Sequence, residues 1–296
     1  MKTRLQLTRS RIEEHIRAGL QNGEKALITF VTAGYPSVDF TVEVIKRMFD
    51  AGSDVVELGV PFSDPLADGP VIQNANTQAI LSGMKTRDVF EAVSRVRSEG
   101  YSNPLVLLVY INTLYRYGID RFLEDCLRVG IDGLVVPDLP VEERHLIQDP
   151  LERITSAAKR PGAISLIPMV SPTCDDRRVE AILKGGSGFV YCVSTTGVTG
   201  VRAELPAEVT DLVGRVRART DIPVAVGFGV GDPLTAAKAG ALADAVIVGS
   251  VIVSTISDKV CKGGNGGERE ALEAVGALVS SLKAQLVARP DVAHSK

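Results

Sequence analysis

Eight times along the chain an apolar run of strand length is followed by a segment with helical spacing. That recurrence constrains the fold more than any other feature. The runs cover residues 26–32, 54–59, 104–110, 133–136, 163–169, 188–193, 223–226 and 245–248. They are continuously hydrophobic rather than alternating, the mark of parallel strands covered on both faces. Parallel neighbours need crossover connections, and helical patterns stand in the intervals, at 39–51, 86–99, 121–129, 176–183, 207–219 and 233–239. Asp232-Pro233 places a capping carboxylate before a first-turn proline, and Gly52, Gly130 and Gly240 follow helix ends. Eight such units fit a (β/α)8 TIM barrel. The rival, a doubly wound open sheet, lacks a GxGxxG after the first strand.

The flanks add two helices. Leu5, Leu7, Ile12, Ile16 and Leu20 give residues 3–21 an amphipathic pattern suited to capping a core, and Glu13 and Glu14 argue against a transit peptide. Residues 262–267 read as a flexible glycine-rich link into a final helix over 268–286. The link has no strand before it and no Lys-Ser/Thr after it, so it is not a phosphate loop. The charged segment 142–161 is expected to carry a helix. The whole, 1–296, reads as one barrel domain.

Composition removes several functions. With 33 basic and 36 acidic side chains the net charge is -3, which gives no basic field for nucleic acid. The apolar stretches at 104–111 and 245–256 are too short for a membrane span, and a soluble, cytoplasmic protein is expected. Four scattered cysteines form no CxxC pair, and three histidines stand far apart, so neither a zinc framework nor a histidine-based triad is expected. Proton transfer then falls to carboxylates.

In barrels the chemistry sits at the C-terminal ends of the strands. Glu57 lies inside the second run, on the face of Val55 and Gly59. A carboxylate there loses solvation, which raises its pKa and suits it to proton transfer. The plainer alternative is a structural carboxylate paired with a cation. Residues 61–70 follow, stiffened by three prolines and carrying Asp64 and Asp68, each also suited to simple turn formation. The sixth run ends in hydroxyl and glycine residues, the seventh at Gly227-Phe228-Gly229, and the eighth at Gly249-Ser250 before a helix. Glycines and a helix N-terminus after the last strands favour a phosphate ester. No lysine stands within or at the end of a strand except Lys25, before the first, which disfavours Schiff-base chemistry.

At these residues the chain resembles the tryptophan synthase alpha chain family. The likeness is carried by ELGVPFSDPLADGP from Glu57 to Pro70, then Gln73-Asn74. It extends to FVTAGYP from Phe30, to Tyr110-Ile111-Asn112, PDLP from Pro137, GVTG from Gly197, Gly227-Phe228-Gly229 and Gly249-Ser250. The resemblance implies a barrel lyase that splits indole-3-glycerol phosphate into indole and glyceraldehyde 3-phosphate, in tryptophan biosynthesis. It implies Glu57 as acid–base, Asp68 as second catalytic carboxylate, and Phe30, Tyr110, Tyr191, Thr199 and Phe228 around the substrate. It places the phosphate at Gly200, Gly229, Gly249 and Ser250. It implies no metal and no cofactor in this chain, pyridoxal phosphate belonging to a beta chain in an alpha-beta-beta-alpha heterotetramer. Thr195 departs from the pattern, where some relatives carry arginine. Another phosphate-binding barrel, a non-catalytic activator subunit and a free-standing indole producer are the alternatives.

Overall fold

The computed structural model describes residues 9–193, 207–227 and 229–287. Its strands are β1 (Ala26–Thr32), β2 (Val55–Gly59), β3 (Leu105–Leu108), β4 (Gly133–Val135), β5 (Ser165–Leu166), β6 (Met169–Val170), β7 (Val190–Val193), β8 (Val224–Gly227) and β9 (Ala245–Val248). They form one sheet in the order β5-β4-β3-β2-β1-β9-β8-β7-β6, every pairing parallel.

β5 and β6, the two ends of that order, are separated only by Ile167 and Pro168. The Ile167 amide donates to the Leu134 carbonyl on β4 at 2.9 Å, while the Pro168 carbonyl accepts from the Tyr191 amide on β7 at 2.8 Å. Proline has no N–H to continue a ladder, so the run read as one strand over 163–169 is split there. Its first half pairs with one neighbour and its second half with the other. The sheet thereby closes into eight strand positions, a (β/α)8 barrel.

The helices follow the expected periodicity closely. Asp176–Leu183 has the bounds read from the sequence, and Val38–Asp50, Thr86–Ser98 and Ala207–Arg217 differ by a residue or two. His145–Ala157 fills the charged segment. Pro70–Leu81, Ile111–Tyr117 and Ser250–Lys262 complete the strand-end connections. Among the described residues no helix is long and apolar enough to cross a membrane.

The N-terminal helix is Arg11–Gln21, starting later than the sequence pattern suggests. Ser10 ends it, with extended backbone and its hydroxyl accepting from the Glu13 amide at 3.3 Å. Residues 1–8 lie outside the described residues. Ile12 reaches the barrel floor, where a Cβ placed on Gly133 would lie 2.8 Å from its Cδ1. Arg11 and Arg97 hold the two oxygens of buried Asp132 at 2.9 and 2.8 Å, pinning the helix beneath the sheet.

The glycine-rich link also needs correction. Residues 264–266 form a tight 3-10 turn between the helices Ser250–Lys262 and Gly267–Lys283. A Cβ on Gly263 would sit 2.4 Å from Gly267 Cα, and one on Gly267 would sit 2.7 Å from the Lys259 carbonyl. These two glycines are required by a close helix crossing and are not spacers. The final helix ends at Lys283 instead of 286, because the Leu286 carbonyl turns to accept from the Lys25 amide at 2.7 Å.

Candidate active site

Parallel register sets Glu57 on β2 level with Phe30 on β1 and Val106 on β3, so the three share one face. Tyr191 on β7 feels the charges of both Glu57 and Asp68. β2 and β7 lie four steps apart around the sheet, so these side chains meet through the barrel interior. The alternation read from the sequence therefore points Glu57 inward.

Glu57 is fully buried, and neither carboxylate oxygen has a hydrogen-bond partner among the described residues. Burial, and then the neighbouring Asp68 charge, push its pKa up to about 8. No ion pair reaches it among the described residues, so none of them supplies the cation of the structural alternative. A carboxyl group in this setting is mostly protonated at neutral pH. Such a group can act as an acid, and as a base once its proton is given away.

Asp68 hangs over this interior from the proline-rich loop. Burial pushes its pKa up to about 6, opposed by hydrogen bonds from Asn76 and Tyr110, which favour the charged form. The two carboxyls thus differ in charge at pH 7, one neutral and one ionised. Asp64 plays no part in this pair: it is exposed and accepts from Ser63 on the outer side of the loop. The loop is held by the Asp68 amide donating to the Pro65 carbonyl at 3.0 Å and by the Ala67 amide donating to the Tyr110 hydroxyl at 3.0 Å. Tyr110 also stacks on Phe62, with centroids 5.0 Å apart.

Glycines make room for the rings around Glu57. A Cβ on Gly59 would lie 2.7 Å from the Phe30 ring, and one on Gly227 would lie 2.8 Å from the Tyr191 ring. Phe30, Tyr110 and Tyr191 are thereby brought to one mouth with both carboxyls, an apolar slot with charge at one side. The sequence reading treated Gly59 and Gly227 as a strand residue and a possible phosphate contact. Their role in seating rings depends on contacts across strands, which spacing alone does not reveal. Asn76 was also missed; nothing in its residue type distinguishes it from an ordinary helix residue.

At the end of β9, Gly249 precedes the helix Ser250–Lys262; the Gly249 carbonyl already takes the Ile252 and Val253 amides, so the Ser250 and Val251 amides are the ones that open the helix N-terminus. A Cβ on Gly249 would come within 3.3 Å of Phe30 Cβ, so this helix N-terminus adjoins the same mouth. Gly229 has φ +45°, a left-handed conformation that favours glycine. Thr199, Gly200 and Phe228 lie outside the described residues, as does Thr195. A separate cavity of about 370 Å³ opens beside the mouth, between Val136–Val141 and Met169. Its arginines are engaged, Arg178 with Glu142 and Arg144 with the carbonyls of Ile182 and Lys184.

Fold and site together define a class: a (β/α)8-barrel enzyme with a desolvated carboxyl group inside its mouth and a helix N-terminus facing it. Residues 16–285 match the family model described as tryptophan synthase alpha chain. The chain is 41% identical over 274 residues to the tryptophan synthase alpha chain of Caldanaerobacter subterraneus subsp. tengcongensis, covering 93% of this chain and 98% of that one. It is 44% identical over 281 residues to that of Methanosarcina acetivorans, covering 93% and 96%. Among solved structures, tryptophan synthase subunit alpha from Legionella pneumophila superposes with a TM-score of 0.82 at 31% identity, covering 94% of this chain and 98% of that one. A chain of Mycobacterium tuberculosis tryptophan synthase gives 0.83 at 34%, covering 95% and 100%. The chain belongs to the tryptophan synthase alpha chain family.

Proposed function

We propose that this chain is the lyase that cleaves indole-3-glycerol phosphate into indole and glyceraldehyde 3-phosphate, with Glu57 as acid and base and Asp68 as its charged partner. The observation that carries this reading is the fully buried, unpartnered Glu57 carboxyl, neutral at pH 7, beside an ionised Asp68. Neutral Glu57 gives its proton to the indole ring carbon that bears the side chain, leaving positive charge on the ring nitrogen. Asp68 accepts a hydrogen bond from that N–H and stabilises the charge. Glu57, now a carboxylate, removes the proton from the adjacent side-chain hydroxyl. The bond from ring to carbinol carbon breaks, its electron pair returns to the ring, and the hydroxyl carbon becomes the aldehyde. The cycle ends with Glu57 protonated again.

In this reading Phe30, Tyr110, Tyr191, Thr199 and Phe228 line the indole slot. Gly200, Gly229, Gly249 and Ser250 take the phosphate at the helix N-terminus. The whole chain acts as one catalytic domain, in the cytoplasm, without a metal or cofactor of its own. A beta chain is its partner, in an alpha-beta-beta-alpha assembly in which pyridoxal phosphate serves the beta chain. Ordering of the loop that carries Asp68 by that partner would exclude water and speed turnover.

Offering indole-3-glycerol phosphate to the purified chain, with and without a beta chain, tests this directly. Indole release, slow alone and faster in the complex, is expected. Tight binding of the ester without indole in either setting would refute the reading and favour an activator subunit.

A further inference from the structure

We infer that Asn76 is the positioning residue for Asp68: its amide holds one carboxylate oxygen from the helix side, leaving the other to face the ring nitrogen of the substrate. This rests on the reading of Asp68 given above. Asn76 sits in the helix Pro70–Leu81 and is 4% exposed, on the buried face with Ala75 and Ala79. Its Nδ2 donates to Asp68 Oδ2 at 3.2 Å. Three residues earlier, Gln73 Nε2 donates to the Asp68 carbonyl at 2.9 Å, so one helix holds both the backbone and the side chain of Asp68.

A second donor approaches from the other flank. The Tyr110 hydroxyl oxygen accepts from the Ala67 amide. A hydroxyl has a single proton, and with the Tyr110 oxygen accepting from Ala67 that proton is free to turn toward Asp68, whose charged form it favours. The titratable groups facing Asp68 are Glu57 from β2, Tyr110 after β3 and Tyr191 from β7. None is a cation. The two neutral donors are therefore what offsets burial and keeps Asp68 ionised near neutral pH, and Asn76 is the one outside the ring cluster.

The test is the pH profile of kcat/KM for indole release by the complex of this chain with a beta chain. Wild type is compared with Asn76→Ala and with Asn76→Asp, which keeps the shape but replaces the donor by an acceptor. The acidic limb reports ionisation of Asp68 in the free enzyme. It is expected to move to higher pH in both variants, with activity below the limb falling about tenfold for each pH unit moved. In an Asp68→Asn background, Asn76→Ala is expected to add no further change in the profile, as for two groups acting as a unit. Unmoved limbs in folded variants would overturn the inference, as would failure of both variants to fold, which would assign Asn76 to the fold alone. Absence of indole from the wild-type complex would instead overturn the reading of the site on which this rests.

Discussion

Replacing Glu57 by glutamine sets function against stability, and the structure gives a size to both. The side chain is fully buried without a partner, and its pKa rises from 4.5 to about 8. The unfolded chain releases this proton near pH 4.5, while the folded chain keeps it until about pH 8. Between those values each pH unit costs the folded state about 1.4 kcal/mol relative to the unfolded. The penalty is absent below pH 4.5, reaches about 3 kcal/mol at pH 7, and levels off near 5 kcal/mol above pH 8. Glutamine has the same shape and does not ionise, so Glu57→Gln is expected to be the more stable protein. At pH 7 the gain corresponds to about 5 °C in Tm for a chain of this length. Activity moves the other way. A group that acts as acid and then base within one cycle is expected to cost at least about 10³-fold in kcat, with substrate affinity nearly kept. Melting curves from pH 4 to 9, ligand Kd and indole production of the two proteins decide the matter together. A Tm difference that does not grow with pH would refute the desolvation argument. Near wild-type indole production would remove Glu57 from the mechanism.

Asp68→Asn keeps an acceptor for the ring N–H but loses the charge, so kcat for indole release is expected to fall by roughly 10²-fold, less than for Glu57→Gln; an equal loss in both would mean that Asp68 also moves a proton. Gly249→Val places side-chain atoms between the helix N-terminus and Phe30, where a Cβ alone would be 3.3 Å from Phe30 Cβ. Steady-state kinetics should show KM for the phosphate ester raised tenfold or more, about 1.4 kcal/mol of lost binding, and an unchanged KM would put the phosphate elsewhere. At the opposite end, Gly133→Val collides with Ile12 Cδ1 and should cost about 1–3 kcal/mol in denaturant unfolding, with recovery when Ile12 is shortened to alanine. A destabilisation that Ile12→Ala does not relieve would remove the plug argument.

The strands were legible because each is a largely apolar run without alternation, and that pattern requires burial on both faces. Closure at Pro168 was not, since it depends on which neighbour each half of a kinked strand meets. The N-terminal helix illustrates a different limit. Leucines at 5 and 7 extend the apolar pattern upstream, but the Ser10 hydroxyl oxygen accepts from the Glu13 amide, and this local capping bond sets the boundary. The glycines at 263 and 267 have the composition of a linker, yet two helices cross too closely there for any side chain. In the site, Glu57 stood out as an acid where only apolar residues belong. By residue type and loop position Asp68 was equivalent to Asp64, and only the family resemblance singled it out; the fold adds that Asp64 is exposed. Asn76 gave no signal, because its importance lies in what lies 3.2 Å away and not in its own chemistry.

The two ends of the barrel treat their buried carboxyls in opposite ways. At the floor, Asp132 is buried but fully engaged: Arg11 and Arg97 hold its oxygens, and the Leu105 amide donates at 2.9 Å. Asp54, only partly buried, is held by Lys283 at 2.8 Å and by the Leu27 amide at 2.6 Å. Breaking such a buried group's pairing by removing one partner is strongly destabilising, so these pairs fix the helices that close the floor. At the mouth, among the described residues, Glu57 has no hydrogen-bond partner and Asp68 has only neutral donors. A cation beside Glu57 would have ionised the carboxyl and left it no proton to give at neutral pH. The missing partner at Glu57 is thus the feature that makes the site able to act as an acid near neutral pH.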